Sequence, residues 1–260
     1  MRTRRQFIAG SIAAAGLAAC ARTARRIGQA GTGPAEQRGP PGTAPGPSGP
    51  SGARTAPGGP ARFVAFGDRA VARAALTFHG SGDPALTYRM LDLAARARVP
   101  MTVFAVGRWL QAHPEVAGRI LAGGHELANH TYTHPALLRV DRPGVAAEIR
   151  RCRDVLVGAT GSGGRWFRPS GVESTPTAMI LEEAGAAGYP TVVGFDVDPR
   201  DYTDPGADVV VRRTVPSIGP GSIVSLHLGH PGTVSAFEPI VDAAHRRGLA
   251  LVTVGDLLGG

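Results

Sequence analysis

Gly124-His125-Glu126-Leu127-Ala128-Asn129-His130-Thr131-Tyr132-Thr133-His134-Pro135 (124–135) is the stretch that decides the fold. Glu126–Ala128 reads as a short strand, entered after the helix-stopping pair Gly123-Gly124. It leads into two histidines four residues apart. On a helical turn, positions i and i+4 share a face, and two imidazoles on one face chelate a divalent metal. The pair follows a strand and precedes Pro135, so it sits in the mouth of a loop.

The same strand-then-loop unit recurs on both sides. Ala74–Phe78, Met101–Val106, Trp166–Phe167, Thr191–Phe195, Ser222–His227 and Ala250–Val254 read as further short apolar strands. Pro84–Arg98 reads as a helix, with Pro at its start and Leu86, Met90, Leu93 and Ala94 at helical spacing. Pro114–Ala122, Pro143–Val157, Thr175–Ala187, Asp208–Val215 and Val234–Arg247 complete the helices. Strands alternating with helices imply a parallel sheet. About seven such units predict an α/β fold, a distorted (β/α) barrel whose chemistry gathers where strands end and loops begin. Polar clusters stand at those places: His79 to Asp83, His130 to His134, Arg168, Asp198 to Asp201, and His227.

These clusters carry a resemblance. Residues 124–134 resemble the second motif of the polysaccharide deacetylases (the NodB-homology domain, carbohydrate esterase family 4), in which the two histidines bind zinc or a related divalent metal. Phe167-Arg168-Pro169 resembles the third motif, whose Arg orients a catalytic Asp. Val197-Asp198-Pro199-Arg200-Asp201-Tyr202 resembles the fourth, with Tyr202 where Trp is usual, and its Asp residues hold that Arg in place. Gly221-Ser222-Ile223-Val224-Ser225-Leu226-His227 resembles the fifth, whose His serves as general acid. The motifs appear in family order, and the resemblance implies a NodB-like barrel over residues 62–260.

The first motif departs from the family pattern Thr-Phe-Asp-Asp-Gly-Pro. Here Thr77-Phe78-His79-Gly80-Ser81-Gly82-Asp83-Pro84 keeps a single Asp, displaced by an apparent two-residue insertion. On the resemblance, Asp83 joins His130 and His134 as third metal ligand, and His79 occupies the position of the base Asp. The alternative stays open that Asp83 is the base and two or three histidines hold the metal. Either way a divalent ion, zinc first and cobalt or another next, activates a water and polarises the acyl carbonyl. His79 or Asp83 takes a proton from that water, and His227 protonates the departing group. A neutral His suits such work near pH 7. His230 reads as a loop residue, His125 and His245 as structural or surface residues, and His113-Pro114 as a helix-entry turn.

The leader and charge distribution set the setting. Thr3-Arg4-Arg5-Gln6-Phe7 before the apolar run Ile8–Ala19 fits a twin-arginine export signal, and Leu17-Ala18-Ala19-Cys20 looks like a lipobox. Residues 21–61, rich in Gly, Pro, Ala, Ser and Thr, read as a disordered tether. A lipid at Cys20 would anchor the domain to the outer face of the cytoplasmic membrane, or the chain is secreted. The net charge is +8. Eight Arg against Glu36 before Arg62 give +7 of it, so the folded part is nearly neutral and lacks the balance of a nucleic-acid domain. Cys152, left alone by the lipobox, reads as a small core residue.

Three functions compete on these grounds. The first is a metal-dependent hydrolase, acting as a monomer, that removes acetyl groups from N- or O-acetylated polysaccharide at the cell envelope. The second is a non-catalytic glycan-binding relative, motivated by the altered first motif. The third is a metal hydrolase of another amide, since fold does not fix substrate.

Overall fold

Side chains alternate across a strand with period two, and that alternation builds the domain in layers. The computed structural model describes residues 58–259. The expected signal (1–20) and nearly all of the expected tether lie outside the described residues. Seven strands appear among these residues: Arg62–Val64 (β1), Arg73–Gly80 (β2), Thr102–Ala105 (β3), Glu126–Asn129 (β4), Thr191–Val193 (β5), Ile223–His227 (β6) and Ala250–Leu251 (β7). The helices are Pro84–Ala97 (α1), Gly107–Ala112 (α2), Pro114–Ala122 (α3), Arg142–Thr160 (α4), Ala178–Ala186 (α5), Ala207–Thr214 (α6), Pro231–Arg246 (α7) and Val254–Leu257 (α8).

Every strand pair is parallel. The order runs β4-β3-β2-β6, with β7 beside the start of β2 and β1 beside β5. Single bridges complete the circuit: Asn129 to Phe167, Phe167 to Val192, and Val197 to Val224. The result is the distorted barrel, closed by isolated bridges where regular ladders fail.

The register stacks the interior in layers. Ala75 pairs with Ile223, Thr77 with Ser225 and His79 with His227. The first pair is apolar and packs with Phe104, Ala128, Trp166 and Val193. The second is hydroxylic, and the third is a pair of imidazoles at the C-terminal rim. Val254 and Leu257 of α8 belong to the apolar layer and close its lower end. Alternate residues of β2, Ala74, Leu76 and Phe78, face outward into the larger core under α1, α3 and α7. Phe78 and Phe237 there are fully buried or nearly so, each stabilising the fold by about 1.5–3 kcal/mol.

Several boundaries differ from the sequence reading for identifiable reasons. The strand expected over 191–195 ends at Val193, because Gly194 lies under the Phe63 ring, 2.6 Å from where a Cβ would stand. The strand expected over 250–254 ends at Leu251, because Thr253 caps α8 and accepts the Asp256 N–H at 3.1 Å. Trp166–Phe167 makes only the bridges at Phe167. Both β1 and the six-residue α2 are too short to carry a periodic signal. Packing begins just ahead of Arg62: Ala61 is buried, and its N–H donates to Leu181 O at 2.8 Å.

Candidate active site

Three histidines meet at the C-terminal rim of the barrel. His79 ends the inward row of β2, His130 follows β4, and His134 closes the loop after it. One ring nitrogen from each lies within 4.8 Å of the others. The rings of His79 and His130 are 4.3 Å apart edge to face, and those of His130 and His134 are 4.8 Å apart.

Their nitrogens are not equivalent. His130 Nδ1 lies 2.8 Å from the carbonyl oxygen of Arg168. A carbonyl only accepts, so Nδ1 carries the proton and Nε2 presents a lone pair. That Nε2 stands 3.1 Å from Nε2 of His134. Two nitrogens on one tetrahedral zinc would be about 3.3 Å apart, given Zn–N bonds near 2.0–2.1 Å. His79 Nε2 is engaged by Ser225 Oγ at 3.0 Å, while His79 Nδ1 is buried with no hydrogen-bond partner. A buried polar atom without a partner calls for an explanation, and an ion is one. The cluster therefore fits a divalent metal. Burial holds His79 well below the usual imidazole range, helped by His130, His227 and Arg168. Burial and then His134 do the same to His130, and burial and then His227 lower His134. All three shifts favour the neutral ring, the state that ligates.

The helical turn expected for the histidine pair is absent. His130–His134 is an irregular loop with Thr131 at φ 67° and His134 at φ 64°. A left-handed β-branched residue is costly, and the surroundings hold it there. The Thr131 N–H donates to Asn129 Oδ1 at 2.9 Å, and its hydroxyl reaches Ser170 Oγ at 3.0 Å. From α4, Glu148 takes the N–H groups of Tyr132 and Thr133 at 2.8 and 2.7 Å, and the Thr133 hydroxyl at 2.8 Å. The two imidazoles converge through this turn and not through a helical face.

Asp83 stands apart from the cluster. It is the exposed N-cap of α1, and Oδ1 accepts the Ala85 N–H at 2.9 Å. The longer loop explains why. Gly82, at φ 87°, presses on the backbone of Gly229, and Pro84 then starts the helix at once. His79, at the strand end, occupies the place in the cluster that the resemblance gave to Asp83.

Arg168 also has partners other than those implied. Its guanidinium donates to Val193 O at 3.1 Å, Gly194 O at 2.9 Å and Thr77 Oγ1 at 2.9 Å. It lies 3.4 Å from His79 Nε2 and 4.0 Å from the Phe104 ring centre. No carboxylate is among these partners, and burial pushes the group down to about 9. Asp201 belongs instead to His227. It accepts His227 Nδ1–H at 2.8 Å, the His227 backbone N–H at 2.8 Å and the Thr233 hydroxyl at 2.6 Å. Asp198 caps its own turn, accepting Arg200 N–H at 2.8 Å, and burial raises its carboxyl.

A cavity of about 270 Å³ joins these groups, lined among others by His79, His134, Asp198, Tyr202, Ser225 and His227. Glu173 lines it too. Glu148, Ser225, Thr233 and Glu173 escaped the sequence reading. Ser225 alone had a local signal, since it lies two residues before His227 on one inward-facing row.

The chain is similar to a chitooligosaccharide deacetylase of Sinorhizobium fredii, 34% identical over 191 residues, 68% of this chain and 87% of the relative. The family described as polysaccharide deacetylase matches residues 67–192. This chain belongs to the polysaccharide deacetylase family. It is a hydrolase of the polysaccharide deacetylase type, acting on carbon–nitrogen bonds other than peptide bonds. The crystal structure of a peptidoglycan N-acetylglucosamine deacetylase, in complex with a naphthalenyl N-oxidanyl-benzamide, matches with TM-score 0.71 at 26% identity. That match covers 76% of this polysaccharide deacetylase and 92% of the other chain. A family pseudoenzyme from Bacillus anthracis has the same fold, with TM-score 0.71 at 23% identity over 75% of this chain and 68% of that one.

Proposed function

We propose that this domain removes acetyl groups from the amino sugars of a cell-envelope polysaccharide, using a divalent metal held by His79, His130 and His134. The observation that carries the reading is the buried, unpartnered Nδ1 of His79 beside two histidines whose Nε2 atoms approach to 3.1 Å. An all-imidazole set suits zinc first among common ions. Such an ion supplies a Lewis acid for the acyl carbonyl and a water of lowered pKa.

The protein's own groups move the protons. Asp201 holds His227 Nδ1–H, so Nε2 is the ring atom left for proton transfer. Asp83 caps a helix, and both nitrogens of His79 have other work. His227 therefore takes the proton from the attacking water. It returns that proton to the amide nitrogen as the C–N bond breaks, releasing acetate and the free amine. Asp198 and Glu173 accept hydrogen bonds from sugar hydroxyls, and Tyr202 offers a ring face. The export signal and lipobox read at residues 1–20 support a place at the outer face of the membrane, and the sequence reading of a monomer belongs to the same proposal.

The test is acetate release from N-acetylated chitooligosaccharides and peptidoglycan, abolished by a chelator and restored by zinc or cobalt. Absence of release from these and from O-acetylated glycans, with metal present, would reject the proposal. The absence of a carboxylate from the three-histidine group favours a second reading, a glycan-binding protein without turnover. It predicts glycan binding that survives His79→Ala and His227→Ala.

A further inference from the structure

Ser225 makes a hydrogen-bond contact with His79, the one proposed ligand that departs from the family pattern. It is 1% exposed, on β6, directly across the ladder from Thr77 and one inward step below the His79–His227 pair. Its Oγ is 3.0 Å from His79 Nε2. The other neighbour of that nitrogen is Arg168, at 3.4 Å. Imidazole and hydroxyl can each donate or accept, whereas a guanidinium only donates.

Two arrangements of the His79 proton are possible. With the proton on Nδ1, a buried N–H has no acceptor. With the proton on Nε2, Ser225 Oγ accepts it and Nδ1 presents a lone pair. Arg168 does not decide between them by direct contact, because 3.4 Å is long for a hydrogen bond. Its shorter contacts, at 2.9–3.1 Å, go to Val193 O, Gly194 O and Thr77 Oγ1. Thr77 Oγ1 donates to Val224 O at 2.6 Å and accepts from Arg168 at 2.9 Å; the hydroxyl at hydrogen-bond distance from His79 Nε2 is that of Ser225. The ring of His130 is fixed in the complementary sense by the Arg168 carbonyl at 2.8 Å.

The geometry points to Ser225 as the positioning residue that sets the tautomer of His79. By accepting the Nε2 proton it leaves Nδ1 as the metal-ligating atom, as the Arg168 carbonyl does in mirror sense for Nε2 of His130. This rests on the three-imidazole metal site proposed above. Groups that orient ligating histidines commonly change metal affinity about 10–100-fold when removed.

The test uses the full chain and zinc, with affinity read by competition against a chromophoric chelator. Ser225→Ala is expected to weaken zinc about 10–100-fold, and Ser225→Thr, which keeps the hydroxyl, to restore most of it. Asp201→Asn, which touches His227 alone among the histidines, is expected to leave zinc affinity unchanged. Long-range nitrogen–proton NMR of the zinc-loaded wild type reads the tautomer without any variant. It should show His79 protonated at Nε2, with that proton slow to exchange. A wild type protonated at His79 Nδ1 overturns the inference, as does Ser225→Ala with unchanged affinity while His79→Ala weakens zinc. If His79→Ala and His130→Ala both bind zinc as the wild type does, the three-imidazole site fails and takes this inference with it.

Discussion

Two histidine–aspartate pairs stand side by side on the rim, alike in contact and different in surroundings. His227 and Asp201 lie 2.8 Å apart; His230 and Asp204 lie 2.9 Å apart. Both pairs use Nδ1, and each spans 26 residues of chain. The Asp201 side chain is fully buried, while that of Asp204 is 62% exposed. Asp201 also accepts two further hydrogen bonds, from the His227 N–H and the Thr233 hydroxyl. Only His227 lines the cavity with His79 and His134. The same contact is thus buried and braced in one place and a solvated surface pair in the other. Burial and extra partners make the difference, because an exposed pair is screened and mobile.

The comparison breaks most sharply at His227 itself. His227→Ala should lower turnover of an acetylated chitooligosaccharide about 10²–10⁴-fold, the usual contribution of a positioned acid–base group. His230→Ala should leave turnover near wild type. A variant pair with equal losses would remove the distinction.

Asp201→Asn is the next largest effect. An amide accepts fewer hydrogen bonds than a carboxylate and can donate where acceptors are required. Thermal or denaturant unfolding should show a loss of about 1–3 kcal/mol, with turnover reduced but less than in His227→Ala. Unchanged stability would mean that the buried pair is as loosely held as the exposed one.

The three clustered histidines, His79 and His130 buried and His134 exposed, extend the contrast to rings with no carboxylate in their cluster. Burial lowers all three, which favours the neutral ring in the metal-free folded state. An unfolded histidine binds a proton near pH 6.5. Below that pH the unfolded chain binds more protons than the folded one, so stability rises with pH across the window and falls on acidification. The Tm of chelator-treated protein should drop between about pH 7 and pH 5, and His79→Ala should flatten the slope. A Tm independent of pH there would show that the rings are not kept neutral by burial.

Asp204→Asn should do least. Its stability change should fall within about 0.5 kcal/mol, as for most surface substitutions, and activity should not move. A loss comparable to that of Asp201→Asn would assign the exposed pair a role that burial alone does not predict.

Much of this architecture was legible along the chain. The strands that build the barrel alternate in pattern, so Thr77 and His79, and Ser225 and His227, were already on shared faces. Pro84 announced the start of α1, and the order of motifs announced the family. The place of Asp83 at the N-cap of α1 was not legible, because it depends on how Gly82 packs against Gly229. The partners of Arg168 were hidden for a similar reason. Sequence order brings Asp198 and Asp201 near the third motif, but the turn after Val197 delivers Asp201 to His227 and leaves Arg168 to backbone carbonyls. Glu148 gave no signal, since an acid on an exposed helix face reads as a solvated residue until a loop descends on it.

The sequence by itself determined which side chains stand at the strand ends, because period-two alternation and helix-starting prolines are local properties. The tertiary structure decided which of them meet. Whether His79 or Asp83 joins His130 and His134, which histidine–aspartate pair is buried and what orients each ring all depend on register between strands far apart in the chain. They depend also on a few left-handed loop residues. Those choices follow from burial and from hydrogen-bond partners that exist only once the barrel has closed.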